Sequence, residues 1–294
     1  MEKKLVIGSR ESRLAVVQSM GLVEHLRSKG IEVELVTMKT TGDRILDKTL
    51  DKVGGKGLFV KELDQALAEG RIDLAVNCLK DMPMDLAPGM AALCCSRRED
   101  PRDALVLRAG LRVLAPGAVI GTSSLRRALQ LKTLFPECEI KPVRGNLQTR
   151  LRKLDEGQFD ALALAAAGLK RLGLEGRISR LFDPEEIIPA AGQGILAVQG
   201  RAGEVFPGLE GYADGEAALC GACERAFVRA LNGGCTSPVC AHATVRDGQL
   251  HVRALYWNPD TGETRTGTAQ GDPRDAEALG IALAQLLRDG EAMA

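Results

Sequence analysis

Short apolar segments alternate with amphipathic helical segments along the first two-thirds of the chain. An apolar run at residues 4–8 leads through a polar turn into a helical pattern at residues 14–26, which stops at Gly30. Alternation of this kind is typical of parallel strands joined by crossover helices, and it predicts an α/β fold with a largely parallel sheet. Further strands are predicted at residues 32–39, 73–77, 104–107, 119–121, 138–143 and 161–164, and further helices at residues 57–69, 124–134 and 146–154.

A charged stretch interrupts this pattern, and the last third of the chain has a different one. Residues 96–102 combine charged side chains with Pro101, which is typical of an interdomain linker. A predicted helix at residues 216–231 ends at Asn232-Gly233-Gly234, a signal for left-handed backbone. Three alternating segments at residues 239–245, 250–256 and 263–269 and a helix at 275–288 follow, which together predict a small antiparallel α+β module.

The composition is that of a globular protein. The chain has 294 residues, 45% of them hydrophobic, and its 39 basic and 39 acidic side chains give a formal net charge of zero. These values exclude a disordered, collagenous or coiled-coil protein, and the length suggests two or three domains. The sequence contains no apolar run of about 18 residues and enters a strand-like segment directly at its N-terminus. We therefore expect a cytoplasmic protein without a membrane span.

Net neutrality argues against binding nucleic acid or a membrane through overall charge, but it conceals an uneven distribution. Residues 121–180 carry twelve Lys and Arg against six Asp and Glu, whereas residues 201–294 carry eight against thirteen. Several arginines of the middle segment follow predicted strands, where ligands of open α/β sheets bind. Arginine forks at such places suit carboxylates or phosphates, although each single arginine is equally well explained as a solvated helix side chain.

The eight cysteines allow more than one interpretation. In a chain of this length without a secretion signal, reduced thiols are favoured over disulfides. Cys220-x-x-Cys223 with Cys235, Cys240 and His242 has some features of a zinc site, but the first pair lies in a predicted helix and no second tight pair follows. Cys235 instead follows the glycine turn, which would expose its thiol for covalent chemistry.

Two further motifs carry chemistry. Lys80-Asp81-Met82-Pro83 follows a predicted apolar strand, where an acid beside a base can transfer protons or stabilise a cation; a solvated turn is the alternative. The stretch Gly54-Gly55-Lys56-Gly57-Leu58-Phe59 leads into a predicted helix and suits an anion held by backbone N–H groups and a lysine. It is not a nucleotide-binding P-loop, because Gly rather than Ser or Thr follows Lys56.

Taken together and in this order, the motifs resemble those of the porphobilinogen deaminase family, whose members are also called hydroxymethylbilane synthases. The resemblance runs from the N-terminus to about Cys240, and it is specific because all of these short motifs occur in order. The motifs are Ser9-Arg10, Gly54-Gly55-Lys56-Gly57-Leu58-Phe59, Lys80-Asp81-Met82-Pro83, Gly121-Thr122-Ser123-Ser124-Leu125-Arg126-Arg127, Arg144-Gly145-Asn146, Thr149-Arg150-Leu151, Gly168-Leu169-Lys170-Arg171-Leu172 and Gly233-Gly234-Cys235.

The resemblance implies three domains, of which two are α/β lobes of the type II periplasmic-binding-protein kind with the active site between them. Domain 1 would comprise residues 1–96 and 190–213, because the chain of such enzymes crosses back near residues 189–195. Domain 2 would comprise residues 97–189. Domain 3, residues 214–294, would be a small α+β domain with a three-stranded antiparallel sheet.

The resemblance also implies a transferase of tetrapyrrole and heme biosynthesis that acts as a monomer. A dipyrromethane cofactor, joined to Cys235 by a thioether, would prime the head-to-tail condensation of four porphobilinogen molecules with loss of ammonia. Hydrolysis would then release 1-hydroxymethylbilane. Asp81 would be the catalytic aspartate. It would stabilise the cation that forms on the pyrrole when ammonia leaves, and it would help to remove a proton from the coupled ring. Metal, nucleic acid and membrane are not expected to take part.

The carboxylates of the pyrrole units require cationic and polar partners, which the resemblance assigns by position. The implied cofactor-binding residues are Lys56, Lys80, Asp81, Ser124, Arg126, Arg127, Arg144 and Cys235. The implied substrate-binding residues are Arg10, Ser12, Gln18, Lys52, Arg144, Arg150, Arg171 and Gln193.

The chain departs from the family pattern at two places. Asn77-Cys78 stands where His-Ser is usual, and a thiol donates hydrogen bonds more weakly than a hydroxyl. Asn232 stands where Glu is frequent. Two other functions remain open: a two-lobed anion receptor without catalysis, which would leave Asp81 and Cys235 without a role, and a zinc-stabilised interaction protein.

Overall fold

The computed structural model describes residues 4–40, 60–234 and 237–290. The chain divides into two compact units, Met1–Glu99 with Gly194–Ala218 and Asp100–Gln193 with Leu219–Ala294. The three-domain division expected from the sequence stays a prediction. The strands are β1 (Leu5–Arg10), β2 (Val33–Met38), β3 (Leu74–Cys78), β4 (Met90–Cys95), β5 (Asp103–Leu107), β6 (Val119–Gly121), β7 (Glu139–Lys141), β8 (Ala161–Ala165), β9 (Arg180–Leu181), β10 (Leu196–Arg201), β11 (Cys240–Arg246), β12 (Gln249–Trp257) and β13 (Thr264–Gly271). The helices are α1 (Arg13–Ser28), α2 (Lys61–Ala68), α3 (Leu125–Leu134), α4 (Leu147–Asp155), α5 (Ala166–Arg171), α6 (Gly215–Ala230) and α7 (Ala276–Asp289).

The first unit is built on a five-stranded sheet with the strand order β2-β1-β3-β10-β4. β1 pairs in parallel with β2 and β3, whereas β10 is antiparallel to both of its neighbours. α1 packs on this sheet, and its buried Leu26 shares a core with Ile7 of β1 and Leu74 of β3. Ser12 starts α1, because its Oγ accepts a hydrogen bond from the backbone N–H of Ala15 (3.3 Å).

The second unit contains a five-stranded sheet of the same design, with the order β7-β6-β8-β5-β9. β6 pairs in parallel with β7 and β8, and β5 is antiparallel to β8 and β9. Apolar clusters cover both faces, one containing Leu162 and Leu154 and the other Ile120, Leu131 and Phe182. Burial on both faces explains why β8 is almost continuously apolar.

The C-terminal elements of the second unit form a smaller layer. β11, β12 and β13 make an antiparallel sheet in that order, on which Leu283 and Leu287 of α7 pack against Gly267. α6 and α7 approach closely at Gly280, where an added Cβ would lie 2.2 Å from the carbonyl oxygen of Cys223. These contacts hold α7 on the sheet and against α6.

The predicted fold class is confirmed, since two α/β sheets accompany a small three-stranded antiparallel sheet. The prediction that the sheets are largely parallel is wrong: two of the four strand pairs in each five-stranded sheet are antiparallel, because β10 and β5 run against both of their neighbours. The left-handed turn after α6 is also confirmed, and its positive φ of 52° falls on Asn232. The sequence patterns missed β4, β9, β10 and α5. β9 has two residues and α5 follows β8 directly, so neither leaves a pattern long enough to recognise. Of the helix predicted at residues 57–69, the first three residues lie outside the described residues.

Candidate active site

The predicted catalytic residue Asp81 lies at the end of a short 3₁₀ turn, Leu79–Asp81, that directly follows β3. The backbone N–H of Leu79 donates to the Ile195 carbonyl (3.0 Å), and that of Met82 donates to the Leu79 carbonyl (3.3 Å). The side chains of Leu79 and Met82 are buried in an apolar cluster with Ile195. Lys80 and Asp81 are half-buried. The turn is therefore anchored at both ends, which holds the acid and the base at a defined place.

Arg10 and Ser12 belong to the same edge of the first sheet. Both lie at or just after the end of β1, the parallel neighbour of β3. Because neighbouring parallel strands end at one edge, the structure brings these two predicted substrate-binding residues to the edge that carries Lys80 and Asp81. The Ser12 hydroxyl also caps α1, so one predicted binding residue has a structural task as well.

Gln18 contacts the thiol at the end of β3. Its Nε2 lies 3.2 Å and its Oε1 3.5 Å from the Cys78 Sγ, and Gln18 itself is buried. One residue earlier, Asn77 Nδ2 donates to Gln199 Oε1 (3.0 Å), and Gln199 Nε2 donates to Asp64 Oδ1 (2.6 Å). Burial raises the pKa of Asp64, although the hydrogen bond from Gln199 opposes this. Asn77 and Cys78, which stand where His-Ser is usual, are thus both held by amide side chains.

In the second unit, the first turn of α3 brings Arg126 and Arg127 to Asp103, the first residue of β5. Arg126 Nη1 lies 2.6 Å from Asp103 Oδ2, and Arg127 Nε and Nη2 lie 3.0 and 2.8 Å from Oδ1. Gln193 Nε2 donates to the same Oδ1 (2.8 Å). Ser124 caps the helix, since its Oγ accepts from the backbone N–H of Arg127 (3.4 Å). Sequence reasoning missed Asp103, whose only signal is a charge at the start of an apolar strand.

This Asp103 cluster, made of Asp103, Arg126, Arg127 and Gln193, is buried throughout. Burial by itself would raise the pKa of Asp103, but the charges and hydrogen bonds of the two arginines outweigh it and hold that pKa well below its ordinary value. Asp103 is therefore ionised, and the cluster contains two positive charges and one negative. Within the described residues, Arg126 Nε is buried without a hydrogen-bond partner. A buried guanidinium N–H of this kind suits a carboxylate ligand.

The other predicted arginines of the second unit lie near the ends of β7 and β8. Arg144 lies between β7 and α4, and its buried Nε has no hydrogen-bond partner in the described part of the chain. Arg150 Nε donates to the Gly145 carbonyl (2.8 Å). Arg171 is the last residue of α5, the helix that follows β8. All three are half-buried.

Two sequence profiles cover nearly all of the chain. The profile described as "Porphobilinogen deaminase, dipyromethane cofactor binding domain" matches residues 5–205, and "Porphobilinogen deaminase, C-terminal domain" matches residues 218–289. The chain belongs to the porphobilinogen deaminase family. The family resemblance inferred from the motifs is thereby confirmed.

Relatives named porphobilinogen deaminase match over the full length. The protein of Ruminiclostridium josui is 50% identical over 99% of this chain and 100% of its own, and that of Ruminiclostridium cellulolyticum is 52% identical over 96% of each chain. The protein of Thiobacillus denitrificans is 50% identical over 96% of this chain and 94% of its own. Porphobilinogen deaminase activity, its transferase class, the pyrrole substrate and the dipyrromethane cofactor are therefore confirmed for this chain.

Solved structures that match include periplasmic binding proteins at low similarity. The aliphatic sulphonate binding protein SsuA of Escherichia coli is 15% identical, with a TM-score of 0.39, over 79% of this chain and 71% of its own. A periplasmic substrate-binding protein of a Coxiella burnetii ABC transporter is 14% identical, with a TM-score of 0.44, over 70% of this chain and 88% of its own. The fold class rests on the sheet topology above and not on these values.

Three predicted site residues, Cys235, Lys52 and Lys56, lie outside the described residues. The residues beside Cys235 are described. Gly234 N donates to Ser237 Oγ (3.0 Å), and Ser237 Oγ donates to the Gly234 carbonyl (2.9 Å). An added Cβ on Gly233 would lie 2.6 Å from the Val239 side chain, so this position of the deaminase motif has room only for glycine.

The cysteine pair considered for zinc lies within α6, as the sequence predicted. Cys220 and Cys223 are buried there, and burial is the main reason that the pKa values of the Cys223 and Cys240 thiols are raised to about 12. In residues 4–40, 60–234 and 237–290, there is no group of three or more His, Cys, Asp or Glu side chains that could hold a metal ion. Among the same residues, none of the helices is both long and apolar enough to cross a membrane.

Proposed function

We propose that Asp81 is the catalytic residue of this deaminase and that Cys235 carries the dipyrromethane cofactor through a thioether. The observation that supports the first assignment most directly is the anchored turn after β3. It holds the Asp81 carboxylate next to Lys80, at the sheet edge that also carries Arg10. An acid fixed in this way is already oriented before charge develops in the substrate.

Asp81 acts on the pyrrole of the substrate. Its carboxylate accepts a hydrogen bond from the pyrrole N–H and stabilises the positive charge that the ring acquires as ammonia leaves. The same carboxylate then helps to remove the proton from the ring carbon at which coupling has occurred. Lys80 supplies a positive charge for a neighbouring carboxylate side chain.

The residues present fit the cofactor. Dipyrromethane carries acetate and propionate side chains, and when bound it supplies the pyrrole carbon to which the first substrate is joined. In the Asp103 cluster, Arg126 Nε is a buried donor without a partner in the described residues. For the cofactor we propose Lys56, Lys80, Asp81, Ser124, Arg126, Arg127, Arg144 and Cys235, and for the substrate Arg10, Ser12, Gln18, Lys52, Arg144, Arg150, Arg171 and Gln193.

Intact mass tests the attachment site. The chain produced in the presence of porphobilinogen is expected to carry the mass of one dipyrromethane, and Cys235→Ser is expected to carry none. Cys138→Ser, which changes a half-buried thiol, is the matched control and should keep the adduct. An active chain without an adduct, or an adduct retained by Cys235→Ser, would contradict the proposal.

We further propose that the active form is a cytoplasmic monomer with three domains, residues 1–96 with 190–213, 97–189 and 214–294. The separate antiparallel layer after α6 supports a third domain. Light scattering should give the mass of one chain, and cell fractionation should recover activity with the cytoplasm. Limited proteolysis should cut first near residues 96–102 and 214, whereas residues 191–195 are buried and should be protected; first cuts inside β-strands would contradict these boundaries.

A further inference from the structure

Asp103 links the two arginines that are proposed to bind the cofactor. Its side chain is completely buried, and its carboxylate accepts four hydrogen bonds: one from Arg126, two from Arg127 and one from Gln193. Three of them converge on Oδ1 and the fourth reaches Oδ2. One aspartate therefore sets the position of both guanidinium groups.

Backbone carbonyls complete the arrangement. Arg126 Nη1 also donates to the Ile188 carbonyl (2.7 Å), and Arg127 Nη1 donates to the Ala163 carbonyl (3.4 Å). Gln193 is itself held by the Pro101 carbonyl, to which its Nε2 donates (2.6 Å). The arginines are thus fixed from several elements of the second unit, with Asp103 as their shared partner.

Arg126 keeps one donor for a ligand. In the described residues, Arg126 Nε is a buried donor that lacks an acceptor. A buried N–H without an acceptor is costly, because it has lost its hydrogen bond to water. This observation indicates that an additional acceptor, such as a carboxylate, binds at the cluster.

We propose that Asp103 is a positioning residue for cofactor binding: it orients Arg126 and Arg127, so that the buried Arg126 Nε is presented to a carboxylate of the dipyrromethane. This inference rests on the proposed function, in which these arginines bind the cofactor. Asp103 acts through the arginines and does not touch the cofactor. A preoriented pair binds more tightly, because less side-chain freedom is lost on binding.

The test measures loading of the cofactor-free chain by intact mass at increasing porphobilinogen concentration. Each adduct consumes two porphobilinogen molecules and releases two ammonia molecules, one as the thioether forms at Cys235 Sγ with loss of the thiol proton, and one as the two rings join. Asp103→Asn is expected to raise the half-saturating porphobilinogen concentration by roughly tenfold or more. This is the loss of affinity expected when hydrogen bonds to charged groups are weakened. The limiting rate should stay within about twofold, because the variant leaves the thiol unchanged.

Asp160→Asn is the matched control, because Asp160 also pairs with an arginine and a backbone N–H of the second unit, through Arg108 Nη2 (3.1 Å) and Val119 N (2.9 Å). Asp160→Asn should change neither the half-saturating porphobilinogen concentration nor the limiting rate by more than about twofold. An equal rise of the half-saturating concentration in both variants would mean that Asp103 has only a structural role.

Three outcomes separate the possibilities. A folded Asp103→Asn variant that loads at the wild-type concentration overturns the inference alone. If Asp103→Asn does not fold, Asp103→Glu decides, since it keeps the charge but displaces the carboxylate by one methylene; wild-type loading by this variant would also overturn the inference. A wild-type chain that never gains mass overturns the proposed function and the inference together.

Discussion

Glu224 Oε2 accepts a hydrogen bond from the backbone N–H of Gly192 over 2.6 Å, within the second unit. The other carboxylate oxygen accepts from the backbone N–H of Ala243 (2.7 Å), and the side chain is completely buried. Glu224 thereby joins α6 to β11 and to the segment that carries Gln193. In the sequence, Glu224 is only one of the charged residues of a predicted helix, and no pattern singles it out.

Glu224→Gln is expected to lower the free energy of unfolding by about 1–3 kcal/mol, because an amide N–H₂ would face a backbone N–H that loses its acceptor. Urea unfolding measures the change. The control is Glu216→Gln, an exposed position in the first turn of the same helix, where we expect a change below about 0.5 kcal/mol. Equal effects at both positions would show that the buried hydrogen bonds contribute little.

Asp81→Asn is expected to keep the fold and the covalent adduct but to lower turnover by about a hundredfold or more, because a neutral amide cannot balance a developing positive charge. Ammonia release from porphobilinogen measures turnover, and intact mass measures the adduct. Asp85→Asn, an exposed carboxylate four residues along, is the control and should retain near-normal turnover. Turnover by Asp81→Asn at the level of that control would remove the assigned role.

Asp100 is expected to make the free energy of unfolding depend on pH in the acid range. Hydrogen bonds from the Arg102 side chain, with further help from Lys170, lower the pKa of Asp100 against the opposing effect of burial. Its unfolded pKa is about 3.9, so its contribution is fully present above about pH 4 and is lost as the pH falls towards the lower folded value. Asp100→Asn should therefore cost a constant amount, about 2 kcal/mol, from pH 8 to pH 5, and less below about pH 4.

Urea unfolding of wild type and Asp100→Asn across this pH range measures the difference. A difference that already declines between pH 7 and pH 5 would mean that the pKa of Asp100 is not lowered in the folded chain.

Gly280→Ala is expected to destabilise the C-terminal layer by about 3 kcal/mol or more, because the new Cβ would meet the backbone of α6 at 2.2 Å. Gly21→Ala is the control within another helix, α1, where an added Cβ meets nothing within 4 Å in the described residues. That substitution should stabilise the chain by about 1 kcal/mol. Thermal and urea unfolding of the two variants should move in opposite directions, and a neutral Gly280→Ala would show that the two helices can separate at low cost.

Local patterns in the sequence were sufficient for much of the fold and part of the site. The alternation of apolar runs and helical segments determined the α/β class, because the spacing of apolar residues that marks a strand or a helix is visible within a short stretch of sequence. The motif order determined the family, and with it the expectation that Asp81 and Cys235 carry the chemistry. The Asn232 turn could also be predicted, since Asn and Gly tolerate positive φ at little cost.

Only the tertiary structure decided which residues meet. β10 joins β3 and β4 about a hundred residues after them, and Asp103 meets Arg126, Arg127 and Gln193 across as many as 90 positions. Such contacts leave no local period, because their partners come together only when the sheets form. The sequence by itself therefore determined that residues 121–180 carry an excess of cations that suits carboxylates. The folded chain decided that two of these cations are held by an aspartate of its own.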